Sequence, residues 1–278
     1  MEHEHRLPYA VNCSTLLLDL PLEARPAAAA AAGFGWIELW WPFDRAVPLS
    51  AEVDAFQRRV EDAGVRVACI SLANRDHSPS STSDLTLDGD ISILSDNAAC
   101  AAELGARLGC SILNRRWPLR SDGVDPEAQD DRAVEAFGVL AGVVRERDAL
   151  LVLEPTSDVS VYPIQRTVDA LAMLDRVMTE SGADNVAMMA DLYQLAYGRA
   201  DVDADIAAHG HRFGHVQIAD LPGRGQPRSG MLPLGRWLAA LEEGGYRGFV
   251  GLEYFAGNDP DPFAWVPPER RGDWPRDH

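Results

Sequence analysis

Apolar positions along the chain fall into eight short, solid runs separated by longer stretches with helical spacing. The runs are YAVNCS (9–14), WIELW (36–40), VRVACISL (65–72), CSILN (110–114), ALLVLE (149–154), NVAMMAD (185–191), GHVQIAD (214–220) and GFVGLEY (248–254). Runs of this length, bounded by glycine, proline or polar clusters, are the pattern of strands buried on both faces. The spacing predicts seven helices between them. The first opens at Asp19 with Pro21 just inside, carries the alanine run to Ala32 and stops at Gly33; the second runs from Ser50 as N-cap to Gly64. The others cover about 91–108, 130–147, 167–180, 202–209 and 234–243. Long polar segments follow the third and fourth strands, at 74–90 and 115–129. After the last strand comes a proline-rich tail that makes a poor helix. Strands alternating with helices mean βαβ units and a parallel sheet. Eight such units in 278 residues predict a closed (β/α)8 TIM barrel, one domain over residues 1–278 with an irregular C-terminal tail.

Composition narrows the partners. Hydrophobic residues make up 46% of the chain, enough for a large core, and the net charge is −18. So acidic a surface repels phosphate backbones, so no nucleic-acid partner is expected. Four cysteines, Cys13, Cys69, Cys100 and Cys110, occur without a CxxC pair and read as free thiols of a reducing compartment. MEHEHRLPYA lacks the apolar segment of a signal peptide, and the low-polarity stretch 26–34 is far short of a membrane span. The expectation is a cytoplasmic protein with no membrane partner.

Four of the runs end alike: LLVLE on Glu154, NVAMMAD on Asp191, HVQIAD with Gln217 two residues after His215, and GFVGLEY with Glu253. In a barrel these positions share the C-terminal rim of the strands, where barrel chemistry sits. A carboxylate that ends an apolar strand is costly to desolvate unless paired or metal-bound. Four oxygen-bearing side chains together suit a hard divalent cation. Around them, Arg224 offers a planar fork for a substrate carboxylate or hydroxyl. Asn12 ends the first strand, Glu38, Trp40 and Trp41 follow the second, and Tyr162 lies in the loop after Glu154. Trp41 is taken as the aromatic wall of the pocket. His77 and Arg115, in the two long loops, are weaker candidates.

The block HVQIADLPGRGQP, together with LEP (153–155), DLY (191–193), GYRGFVGLEY (245–254) and IELWWPF (37–43), resembles the hydroxypyruvate isomerase family of the xylose-isomerase-like barrels, which has the ketose 3-epimerases as relatives. The resemblance implies a divalent ion, Mg2+ or Mn2+, held by Glu154, Asp191, Gln217 and Glu253. It also implies a small hydroxy-carbonyl substrate, proton transfer by Glu154 and Glu253 through a cis-enediolate, and assembly into a homo-oligomer. The chain departs from the family at three places. Gln194 stands where relatives carry a substrate-contacting histidine, a loop glutamate is missing near Met231, and ANRDHSPSSTSD (73–84) replaces a glycine-rich loop. Glutamine still hydrogen-bonds substrate but carries no proton or charge.

These departures keep two other readings open: a ketose 3-epimerase or related sugar-acid isomerase, and a sugar-binding barrel without catalysis. A nuclease on the same barrel would need several metals, a histidine-rich ligand set and a basic face. No GxGxxG follows a strand, which argues against a dinucleotide-dependent oxidoreductase.

Overall fold

The computed structural model describes residues 5–73, 91–257, 259 and 261–272. Eight parallel strands close into a barrel in sequence order. They are β1 (Tyr9–Asn12), β2 (Trp36–Trp40), β3 (Arg66–Ser71), β4 (Ile112–Arg116), β5 (Leu150–Glu154), β6 (Val186–Asp191), β7 (Phe213–Ile218) and β8 (Val250–Leu252). Pairing of Tyr9 with Val250 and of Val11 with Leu252 joins β8 back to β1. The helices are α1 (Arg25–Ala31), α2 (Ser50–Asp62), α3 (Ile91–Leu108), α4 (Pro126–Arg145), α5 (Thr167–Ser181), α6 (Leu192–Tyr197), α7 (Val202–His209) and α8 (Leu234–Glu243). After β8 the described tail holds only a 3-10 turn at Pro268–Arg270, as its prolines imply.

Helix boundaries follow local chemistry, with four departures from the sequence pattern, the last being α4, which begins at Pro126 and not near 130 because Asp125 accepts from Ala128 N and caps it. The first α-helix begins at Arg25, not Asp19; a 3-10 turn at Leu22–Ala24 leads into it, and Arg25 folds back to donate to the carbonyls of Leu20 and Cys13. Ser50 lies inside α2, since Leu49 is the N-cap and its N–H donates to Glu52. The third is α6, a short helix that the sequence reading leaves within a loop; Asp191 caps it through Tyr193 and Gln194. Elsewhere the stops are where glycine places them: Gly109 and Gly182 end α3 and α5 with φ of +79° and +72°.

Strand residues alternate between two cores. Val216 and Ile218 of β7 point outward into the large apolar layer under the helices. The inward positions stack in tiers. Ala10, Trp36 and Phe249 pack at the N-terminal end of the barrel, and Cys69, Val152 and Met189 pack beside β3, β5 and β6. Across from that apolar half, β2 and β7 put buried Glu38, His215 and Gln217 inside. The rim therefore rests on a rigid, packed floor.

Candidate metal and proton-transfer centre

Glu154, Asp191 and Glu253 end or follow β5, β6 and β8, and each offers a carboxylate oxygen within 4.8 Å of the others. All three are buried. Asp191 splits its two oxygens. Oδ1 accepts from the backbone N–H of Tyr193 at 2.9 Å and caps α6, while Oδ2 accepts from Arg224 at 2.8 Å. The Glu253 carboxylate draws its bonds from side chains alone. Its Oε1 accepts from Trp40 Nε1 at 2.9 Å and from Asn12 Nδ2 at 3.2 Å, and its Oε2 accepts from Arg224 at 2.7 Å. Glu154 Oε2 accepts from Asn114 Nδ2 at 3.0 Å.

Burial drives the protonation of this cluster. Desolvation pushes Glu154 up to about 7, with the Glu253 charge adding to it. Desolvation likewise raises Asp191 and Glu253 to about 7, against the opposing pull of Arg224 on both. Carboxyl groups raised this far act as acid or base near neutral pH, which an exposed carboxylate cannot do.

A divalent cation fits the donors that are present. Gln217 is buried; its Nε2 donates to Glu38 Oε2 at 2.9 Å, and its Oε1 has no hydrogen-bond partner among the described residues. Asp191 and Gln217 are register partners on β6 and β7. An unpartnered amide oxygen beside three close carboxylates is an all-oxygen set of the kind hard cations take. Among the described residues, these carboxylates form the one group of three or more acidic, histidine or cysteine side chains spaced to hold a metal ion.

Arg224 reaches the cluster because the loop after β7 is tied in place. Asp220 accepts from the backbone N–H groups of Leu221, Gly230 and Leu232 at 2.8, 3.0 and 3.0 Å. A side chain at Gly230 would collide with the Leu221 carbonyl, so the loop can close only on glycine. Arg224 itself has φ of +56° and also donates to Glu253 O and to Asp158, with its guanidinium 5.1 Å from the Tyr193 ring.

The remaining sequence candidates divide. Asn12 is in the site. Its Oδ1 accepts from Ser14 N, which turns Nδ2 toward Glu253 and Glu38. Gln194 is adjacent and buried, but its Oε1 is taken by the backbone N–H groups of Ser157 and Asp158 at 2.8 and 2.9 Å, so it clamps the loop after β5. Tyr162 is buried with Arg116 stacked 4.8 Å over its ring. Trp41 is a correction. Its Nε1 donates to Arg45 O and its ring packs on Phe43, outside the barrel mouth, while neighbouring Trp40 points in and bonds Glu253. Strand alternation explains the exchange, because Trp40 shares the inward face of β2 with Glu38. Arg115 faces outward and donates to Ala73 O, and His77 lies outside the described residues. Asn114 and Asp220 were not singled out from the sequence. Asn114 closes the apolar run CSILN, which is the available signal, although β4 itself continues to Arg116. Asp220 works through backbone contacts that leave no sequence trace.

A closed parallel barrel with an acidic centre on its C-terminal rim defines a barrel enzyme's architecture. The model of the xylose isomerase-like TIM barrel family matches residues 26–272, and the chain belongs to that family. A Streptomyces coelicolor protein provisionally named hydroxypyruvate isomerase is 39% identical over 93% of this chain and 95% of its own. Hydroxypyruvate isomerase of Escherichia coli K12 is 24% identical over 89% of this chain and 93% of its own. Among solved structures, a Brucella melitensis protein described as an AP endonuclease of family 2 superposes with a TM-score of 0.82 at 27% identity, covering 93% of this chain and 97% of that one.

Proposed function

We propose that the protein is a metal-dependent isomerase that interconverts a small hydroxy-aldehyde and hydroxy-ketone of the hydroxypyruvate and tartronate semialdehyde type. The observation that carries this reading is the pair of buried glutamates, Glu154 and Glu253, that offer oxygens within 4.8 Å of each other and of Asp191 and are both raised to about 7. The names of its Streptomyces and E. coli relatives agree with it.

Moving a carbonyl to the neighbouring carbon removes a proton from one carbon and delivers one to the next, while the hydroxyl proton passes from the oxygen that becomes the carbonyl to the oxygen that becomes the hydroxyl. One glutamate, as carboxylate, takes the proton from the hydroxymethyl carbon and leaves a cis-enediolate. The other, as the acid, gives a proton to the former carbonyl carbon. Two carboxyls titrating near neutrality supply both forms at once. Glu154, Asp191, Gln217 and Glu253 would hold Mg2+ or Mn2+, which polarises the carbonyl and offsets the charge of the enediolate. Arg224, Asn12 and Tyr162 are the proposed substrate contacts, Arg224 through the same planar fork that in the structure binds Asp191, Glu253 and Asp158. The four cysteines are free, and no helix among the described residues is long and apolar enough to cross a membrane. Both observations fit a cytoplasmic enzyme.

A nuclease like the one named for the Brucella structure would have to bring a polyanion to a chain of net charge −18. A 3-epimerase would use the same glutamates and differs only in the carbon that receives the proton. The test is NMR of hydroxypyruvate incubated with the enzyme and Mn2+ or Mg2+ in D2O, beside a panel of free ketoses. Tartronate semialdehyde and deuterium at the exchanged carbon are expected. Inversion of a ketose carbon without carbonyl migration would replace this reading with the epimerase. Binding without exchange of any substrate hydrogen would replace it with a non-catalytic barrel.

A further inference from the structure

We infer that Glu38, deep in the barrel and outside the carboxylate cluster, is a positioning residue that sets which end of the Gln217 amide faces the metal site. This rests on the reading of Glu154, Asp191, Gln217 and Glu253 as cation ligands. An amide side chain offers an oxygen from one end and an NH2 from the other, and only the oxygen can coordinate a cation. Glu38 removes the choice. Its Oε2 accepts from Gln217 Nε2 at 2.9 Å, leaving Gln217 Oε1 buried and without a hydrogen-bond partner among the described residues. The reversed amide would set its carbonyl oxygen against the Glu38 carboxylate, oxygen on oxygen, between two buried side chains.

The surroundings of Glu38 hold it to this task. It is 1% exposed. His215 Nε2 bonds Oε1, and Asn12 Nδ2 donates to Oε2 at 3.4 Å while also reaching Glu253 at 3.2 Å. The carboxylate therefore meets donors from β1 and from two places on β7. The fourth neighbour is β8, which makes room for it: a Cβ at Gly251 would overlap the Glu38 carboxyl group. Gly251 is the register partner of Gln217, so the space and the amide lie at one level of the barrel. Outer groups that orient metal ligands in this way typically change metal affinity about 10–100-fold when removed.

The experiment is a double-mutant cycle on Mn2+ affinity, measured by calorimetry on the full-length metal-free protein, with Glu38→Gln, Gln217→Ala and the double variant. Circular dichroism melts establish that each variant is folded, and Glu38→Asp replaces Glu38→Gln if the latter is not. The expected result is that Glu38→Gln weakens Mn2+ binding about 10–100-fold in the natural background and costs little once Gln217 is alanine. Equal affinity for the natural protein and Glu38→Gln would overturn the proposal, as would the same loss in both backgrounds. Failure of the natural protein itself to bind Mn2+ or Mg2+ is a different outcome, which removes the metal reading and this inference together.

Discussion

Arg224 Nη2 lies 2.7 Å from Glu253 Oε2 and 2.8 Å from Asp191 Oδ2, so a single guanidinium nitrogen binds two of the three clustered carboxylates. This arginine is the counter-charge of the acidic cluster. Its removal matters only when the carboxylates are ionised. Arg224→Met should therefore melt close to the natural protein at pH 5, where burial keeps Glu253 and Asp191 protonated. At pH 8 it should melt roughly 10 °C lower, the cost of leaving buried charges unpaired. Differential scanning fluorimetry without metal at the two pH values checks this. A deficit of equal size at both would mean that Arg224 acts through packing alone.

The same carboxyls set the pH dependence of the metal-free protein. Glu154, Asp191 and Glu253 are raised to about 7, chiefly by desolvation, from ordinary values near 4. Between those values the folded chain binds protons that the unfolded chain has lost. Stability from these groups is therefore fully present below about pH 4 and is lost as the pH rises through 7. His5 works in the opposite sense, since burial and then the Arg270 and Arg228 charges lower it to about 4. One imidazole opposes three carboxyls, so the melting temperature without metal should fall between pH 5.5 and 8. On the proposed metal reading, millimolar Mn2+ should flatten or reverse the slope by favouring the ionised cluster. A rising metal-free profile would contradict the raised carboxyls.

Much of this centre is legible in the chain. A strand end is a place in space as well as in sequence, and runs such as LLVLE and NVAMMAD carry Glu154 and Asp191 to the rim by register alone. The barrel is legible for the same reason, because solid apolar runs alternating with glycine-stopped helices admit few other closures. The losses fall where a side chain's direction is set by tertiary contact. Trp40 and Trp41 are adjacent aromatic residues at the end of β2, and only the strand's phase relative to Glu38 decides which enters the mouth. Gln194 reads as a substrate contact, yet its oxygen is held by two backbone N–H groups of a loop 36 and 37 residues away. The short helix α6 depends on Asp191 as its cap, a second role that a metal-ligand reading of the residue hides.

Glu154→Gln and Glu253→Gln keep the volume and most hydrogen bonds of each side chain while removing its proton chemistry. Each should lower kcat for hydroxypyruvate by about 10²–10⁴-fold, with the melting temperature at pH 8 unchanged or raised as a buried charge is lost. Deuterium exchange into substrate separates their roles. A variant lacking the base loses exchange, whereas a variant lacking only the returning acid keeps it at the first carbon. Near-natural turnover in either variant would remove the two-glutamate mechanism.

Trp40 and Trp41 give the sharpest contrast, because the two substitutions are chemically identical. Trp40 Nε1 donates to Glu253 Oε1, and this bond is among the contacts that hold Glu253 down against desolvation. Trp40→Phe removes the donor and keeps a ring, so the ionised form of Glu253 loses support and its pKa rises further. The acid limb of kcat/KM should then move to higher pH, with a loss of activity at pH 6 that is largely recovered at pH 8. Trp41→Phe removes a donor to Arg45 O in the Phe43 cluster, away from any proton-transfer group. It should lower the melting temperature by a few degrees and leave the pH profile in place. The comparison is read from kcat/KM between pH 5.5 and 9 for both variants; a shifted profile in Trp41→Phe, or none in Trp40→Phe, would show that the wrong tryptophan has been placed beside Glu253.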